Sequence, residues 1–356
     1  MKRDLKTTRL MTTMLALGAL AGCQGDGTID LGGIDPAAAE AALAKAQAAP
    51  AAPADDVEAE QAAALATARS NYLVIDGTII GAITGFQGGN AVGTVITEVV
   101  GTAATVTKRI SAVTYEDISF EIDAGANRVF WQWIQDTLLK KGTRKTGTIV
   151  SVDLDLKETE RLNFVDAGIT EIGFPALAAG AKTSAPLKIK LRPSTTTIVA
   201  GSGASIPAMP RAAGAFIGGN FALSIPSLVT NKVVRIDPFV VKVAFVPIIP
   251  GQPTPKGNGA VTLPSLSLSV AAPFTDWKAW AQDFIVRGNN GPAAEKTGSL
   301  RLIATDLKTT LLSLDFTGLG IFRTSNDPTA NTLAVARTNA ELYVEDARIS
   351  TYPPSL

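Results

Sequence analysis

The chain reads FWQWIQDTLLKKGTRKTG from Phe130 to Gly147 and TDWKAWAQDFIVRGNNGPAAEKTG from Thr275 to Gly298, and these two passages hold all 4 of its tryptophans. In the first, Val129, Phe130, Trp133, Ile134, Leu138 and Leu139 recur at helical spacing, and a lysine pair with Gly142 supplies a C-terminal stop. In the second, Trp277, Trp280, Ala281, Phe284 and Ile285 draw the same stripe, closed by Arg287-Gly288. Stripes this apolar must be covered. Trp131, Trp133, Trp277 and Trp280 are therefore expected to anchor helices against the strands around them, with ligand stacking the rarer alternative.

The likeness extends beyond the tryptophans. Trp133 aligns with Trp280, Gln135-Asp136 with Gln282-Asp283, and Lys145–Gly147 with Lys296–Gly298. Further on, Asp155-Leu156-Lys157 matches Asp306-Leu307-Lys308, Phe164 matches Phe316, and Gly168-Ile169 matches Gly320-Ile321. The offset drifts only from 147 to 152 residues, a register that chance matches would not keep. Tandem duplication is the expected origin. Phe164 and Phe316 join the tryptophans as expected core of each copy.

Around the helices the chain reads as strands. NYLVIDGTII from Asn71 alternates about Asp76-Gly77, a hairpin signal, and a similar opening recurs from Asn220. ISFEID from Ile118 has its counterpart in LSLSV from Leu266, and GTIVSVDLDLKETERLNFVDAGI from Gly147 forms a hairpin turning at DLKET. The expected class is mainly β with one helix per domain (α+β), in two tandem β-sandwich or barrel domains spanning 70–199 and 216–356, joined by a linker over 200–215.

Composition narrows the function. Apolar residues make up 46% and charged residues 18%, with a net charge of zero, which speaks against a nucleic-acid partner. There is no histidine, and Cys23 is the only cysteine, so the usual general base and the usual soft metal ligands are missing. No catalytic, cofactor-binding or metal-ligating residue is assigned, and no cofactor is expected. GSGAS at Gly201–Ser205 and FIGGN at Phe216–Asn220 precede no helix with a lysine, so with Pro207 and Pro210 they mark the interdomain linker and are not phosphate loops. The acidic pairs in Tyr115–Asp117 and Val152–Asp155 read as solvated strand and turn positions.

The N-terminus carries an address. MKRDLKTTR is cationic, LMTTMLALGAL is a short apolar core, and small residues precede Cys23, which is the layout of a signal peptide over 1–22. Leu20–Cys23, LAGC, resembles the bacterial lipobox. That resemblance implies cleavage before Cys23, diacylation of Cys23, and a lipid bilayer as partner through its acyl chains. Gln24, where an Asp would hold the protein at the inner membrane, points to the outer membrane. Loss of 1–22 leaves a net charge of about −3. Residues 23–69 are rich in alanine, with Pro36, Pro50 and Pro53, and read as a tether.

The repeated unit resembles the tail-tube proteins of contractile phages and the related Hcp tube protein of type VI secretion. Trp133, Asp136, Gly142, Arg144, Asp155, Lys157, Leu162, Phe164, Ala167 and Pro175 follow that family's pattern, and VIDG at Val74–Gly77 echoes its first strand. The second copy departs at NNGPA and lacks the family's Ala-x-Pro ending. The resemblance implies small β barrels packed by a helix, six to a ring around a pore. Three tandem chains would supply six units. It places IIPGQPTPKGNG, from Ile248, where the family has an extended arm, and this Pro/Gly loop reads either as such a contact arm or, in the monomer, as disordered chain. The expected function is non-enzymatic: an envelope-anchored structural protein that self-associates as a trimer, with a tube or envelope protein as a further partner. The alternative is a monomeric surface lipoprotein that binds a protein or glycan.

Overall fold

The computed structural model describes residues 70–100, 105–206, 216–244, 259–326 and 335–351. The signal segment, Cys23, the tether and the Pro/Gly loop from Ile248 to Asn258 lie outside the described residues.

The first half opens with β1 (Ser70–Ile75) and β2 (Thr78–Gln87), joined across Asp76 and Gly77 at φ of 49° and 78°. Two left-handed residues in succession give the turn that matches strand twist, and an Asp-Gly pair supplies them at low cost. A free-standing hairpin follows, β3 (Ala91–Val100) with β4 (Thr105–Tyr115), and then β5 (Ile118–Ile122). Helix α1 (Arg128–Leu138) starts where the Asn127 carbonyl side chain accepts from the Val129 N–H at 3.0 Å, and it ends before Gly142 at φ 69°. Strands β6 (Lys145–Val152) and β7 (Glu158–Phe174) form the expected hairpin. After β8 (Leu177–Ala178) come β9 (Leu187–Arg192) and β10 (Thr195–Ala200), which run in one line along β7, with Arg192 opposite Gly168 and Thr195 opposite Val165. The order β7-β6-β1-β2-β5-β9 returns to β7 and closes a six-stranded barrel.

The second half contains β11 (Phe221–Ser224), a 3-10 turn (Thr230–Lys232), β12 (Val233–Ile236), β13 (Phe239–Val243), β14 (Val261–Thr262) and β15 (Leu266–Ala271). Helix α2 (Thr275–Ala281) runs into a π turn (Gln282–Val286), followed by β16 (Lys296–Ile303), β17 (Thr310–Asn326) and β18 (Arg337–Thr351). Its sheet runs β11-β16-β17-β18-β15-β12-β8. The first half reads β1-β6-β7-β9-β5-β2 in the same direction. The two orders match strand for strand, with β18 standing for β9 and β10 together.

The expected α+β class with one helix in each of two tandem domains is corrected here: the protein is mainly β. Among the described residues, α1 has 11 residues and α2 has 7 before its π turn, while β7 and β17 have 17 each. Helices this short do not form a layer of their own. The halves are also not separate sheets. β8 pairs with β12, and β13 pairs with β7, so each half gives a strand to the other. One continuous core runs through both, from Leu73 and Ile118 to Leu342 and Ile349.

Candidate functional site

All four tryptophans lie in that core. Trp131, Trp133 and Trp277 are fully buried and Trp280 nearly so, with Phe164 and Phe316 beside them. The Trp133 indole N–H donates to the Thr143 carbonyl at 2.9 Å and that of Trp277 to the Val229 carbonyl at 3.4 Å. The indole nitrogens of Trp131 and Trp280 have no acceptor among the described residues. Lys296 lies over the Trp280 ring, 5.3 Å from its centroid. Leu139 and Ile285, expected on the apolar stripes, are exposed. Buried in the core cluster, these side chains pack the fold, and the exposed surfaces of the described residues are where partners can be met.

The first such surface is the joint between the halves. β13 crosses from the second half and pairs with the C-terminal end of β7, Phe239 opposite Phe174 and Lys242 opposite Glu171. Its alternate side chains Phe239, Val241 and Val243 are buried, and the Phe239 ring stacks on Phe174 at 4.6 Å. At a second point, the Gln135 side-chain oxygen on α1 accepts from the Ile349 N–H on β18 at 2.6 Å. The joint therefore combines strand addition with a polar clasp from helix to strand. Nothing in the composition of FVVKV foretold the partner: alternation reports which face is buried and carries no information about which sheet.

The second surface is a groove of about 810 Å³ over the outward face of β5, β9, β7 and β13. Its floor carries a ladder of ion pairs: Lys188 with Glu121 at 3.3 Å and Lys190 with Glu171 at 3.4 Å. Arg192 grips Asp117 beside it through two 2.7 Å bonds, and that carboxylate holds the guanidinium pKa above its ordinary value. Each of these carboxylates is matched by a cation, an arrangement that suits docking of a mixed-charge surface better than proton transfer.

Among the described residues one carboxylate is buried. Glu158 receives hydrogen bonds from the Arg161 Nε and from the Ser202 hydroxyl and N–H. Burial pushes its pKa up, but the bonds from Arg161 and Ser202 outweigh that and hold it below the ordinary value. GSGAS thus lies against the start of β7, where a side chain at Gly201 would strike the Glu158 carbonyl at 2.5 Å. Gly201, with no side chain, permits that close approach. Among the described residues no group of His, Cys, Asp and Glu could hold a metal ion.

No family model matches the chain, and no curated protein matches it. Solved structures do. The chain is similar to Hcp1 from Flavobacterium johnsoniae at 15% identity over 38% of this chain and 98% of that chain, with a TM-score of 0.26. It is similar at 13% identity to a chain of the anti-feeding prophage baseplate, determined with six-fold symmetry, over 41% of this chain and 97% of that chain, again with a TM-score of 0.26.

Proposed function

We propose that this protein is a non-enzymatic structural lipoprotein, held by acyl chains on Cys23, that assembles with copies of itself into a ring. The observation that carries the reading is the joint: two copies of one strand order are already held together by strand addition, β13 on β7. Strand addition uses backbone groups that any sheet edge offers, so a fold that employs it once can employ it again between chains. Three copies would bring six repeats of the strand order into a pseudo-six-fold ring. Residues 23–69 would tether that ring to the periplasmic or outer face of the outer membrane, where a tube or envelope protein would be its further partner.

Native mass measurement on the full chain in detergent tests this directly. A trimer supports the ring, and a monomer at every concentration overturns it. Labelled palmitate tests the anchor: incorporation into the wild type and none into Cys23→Ser is the expected result. The 810 Å³ groove favours a second reading, a monomeric surface lipoprotein that docks a protein or glycan over the ion-pair ladder. The same mass measurement separates the two.

A further inference from the structure

Each element of the joint has a counterpart that is left without a partner among the described residues. β13 and β14 lie between β12 and β15, as β3 and β4 lie between β2 and β5, and Ala91 to Ile118 is the same interval as Phe239 to Leu266. β3 and β4 are therefore the first half's version of the arm. The arm of the second half is seated on β7. The arm of the first half pairs only with itself. It stands out with Val92, Val95, Ile96, Val106, Ile110 and Val113 all between 37% and 59% exposed.

The receiving edge is duplicated too. β7 and β17 have equal length and keep the Gly168-Ile169 and Gly320-Ile321 register. β13 occupies the edge of β7 just beyond the end of β6, at Glu171–Phe174. The equivalent edge of β17, Arg323–Asn326, lies just beyond the end of β16 and pairs with β18 on its other side. No strand among the described residues covers it. The clasp repeats as well. Gln282, the first residue of the π turn that follows α2, is the counterpart of Gln135, and it is exposed where Gln135 is half-buried. Ile198 on β10 is the counterpart of Ile349, since Ile198 faces Leu162 and Ile349 faces Leu314. Ile198 is 51% exposed.

We propose that β3 of one copy adds to the β17 edge of a second copy, while Gln282 of that second copy bonds the backbone at Ile198 of the first. This names the interface of the self-association proposed above and rests on that reading. Carrying the β13–β7 register across sets Ala91 opposite Asn326, Val92 opposite Ser325, Gly93 opposite Thr324 and Thr94 opposite Arg323. One step further, Val95 meets Phe322, and both are exposed apolar side chains, at 59% and 43%. No like charges oppose each other along this line. The contact is head-to-tail: the donor arm and the receiving edge lie in different halves. It therefore propagates from copy to copy and ends only when the rotation closes. A lone exposed arm and a lone open edge are both aggregation hazards, and one contact removes both.

The test uses full-length chains in detergent. Val92→Cys and Ser325→Cys are made separately and treated with a short bifunctional thiol reagent, with the wild type, carrying Cys23 alone, as control. A cross-linked dimer that forms only when the two variants are mixed is the expected result. Thr94 is exposed on the free arm, so Thr94→Arg, which sets a like charge against Arg323, should weaken self-association about threefold and leave the unfolding midpoint unchanged. Thr94→Glu should not weaken it. Oligomers that form with no cross-link in the mixture overturn this interface while the self-association reading stands. A monomer at all concentrations overturns both.

Discussion

The two halves share a strand order and differ in one connection. Between β1 and β2 stand Asp76 and Gly77, a two-residue turn that folds β2 back on β1 and closes the barrel. Between β11 and β12 stand Pro226, Ser227 at φ 70° and the 3-10 turn over Thr230–Lys232, and β12 pairs with β15 and β8 and not with β11. Proline lacks the N–H a hairpin turn needs, and a longer connection lets the strands part. The barrel of the first half closes on its own strands and carries β13 as an addition, whereas the open half has an edge to fill and borrows β8 to fill it. A small change in turn chemistry thus decides whether a repeat is self-contained or must share strands with its neighbour.

That contrast is broken most forcefully at the joint. Phe239 is buried, stacks on Phe174, and fixes β13 across both halves. Phe239→Ala should cost about 3–5 kcal/mol in urea unfolding. Because it weakens the strand that ties the second half to β7, the transition should split in two, with the second half melting first. A single unsplit transition would mean that the halves do not depend on this strand for cooperativity.

The glycines of the two Lys-Thr-Gly sequences sharpen the comparison. A Cβ at Gly147 would sit 2.4 Å from the Val74 carbonyl and 2.5 Å from the Phe164 ring, both fixed by the closed barrel. At Gly298 its nearest neighbour is a Leu319 methyl at 2.8 Å, the end of a movable side chain. Gly147→Ala should cost about 2–3 kcal/mol and Gly298→Ala about 1 kcal/mol or less. Equal costs would show that closure does not stiffen the first half.

These contrasts also mark how far the sequence could be read. The helical stripes, the Asp76-Gly77 hairpin, the β6–β7 hairpin and the matching of Gly168 with Gly320 are local signals, and each has its element in the fold. The second opening, at NFALSIPSLV, was expected to resemble the first, and Pro226 is the residue that makes it differ. The crossing of β13, the borrowing of β8 and the run of β10 along β7 are pairings between distant segments. A strand's own residues specify its faces, while its neighbour is chosen by which edges remain open after the rest has folded. The candidate interface was invisible for that reason. Only the repeated Gln-Asp pair at Gln135 and Gln282 pointed to it, and one half had to be seen joined before the other's open counterparts had meaning.

The clasp gives a smaller effect. Gln135→Ala leaves the Ile349 N–H without its acceptor and should lower stability by about 1 kcal/mol. Gln282→Ala, at an exposed position, should leave stability within measurement error and should instead loosen self-association.

The last contrast is one of titration. Beside Gly168 stands Arg192, gripped by Asp117, and at the same place beside Gly320 stands Tyr343, whose hydroxyl donates to Glu295 at 2.7 Å. Burial first, and then the bond to that carboxylate, pushes the Tyr343 pKa up to about 12 from 10.0. A raised folded-state pKa means that the neutral phenol is preferred in the native protein. Its contribution is complete below pH 10 and is lost as the pH rises through about 12. Absorbance titration should show one tyrosine ionising near pH 12, and Tyr343→Phe should remove that step and flatten the alkaline limb of the stability profile. If Tyr343→Phe leaves the step in place, the phenol beside Gly320 is not the group held neutral by Glu295.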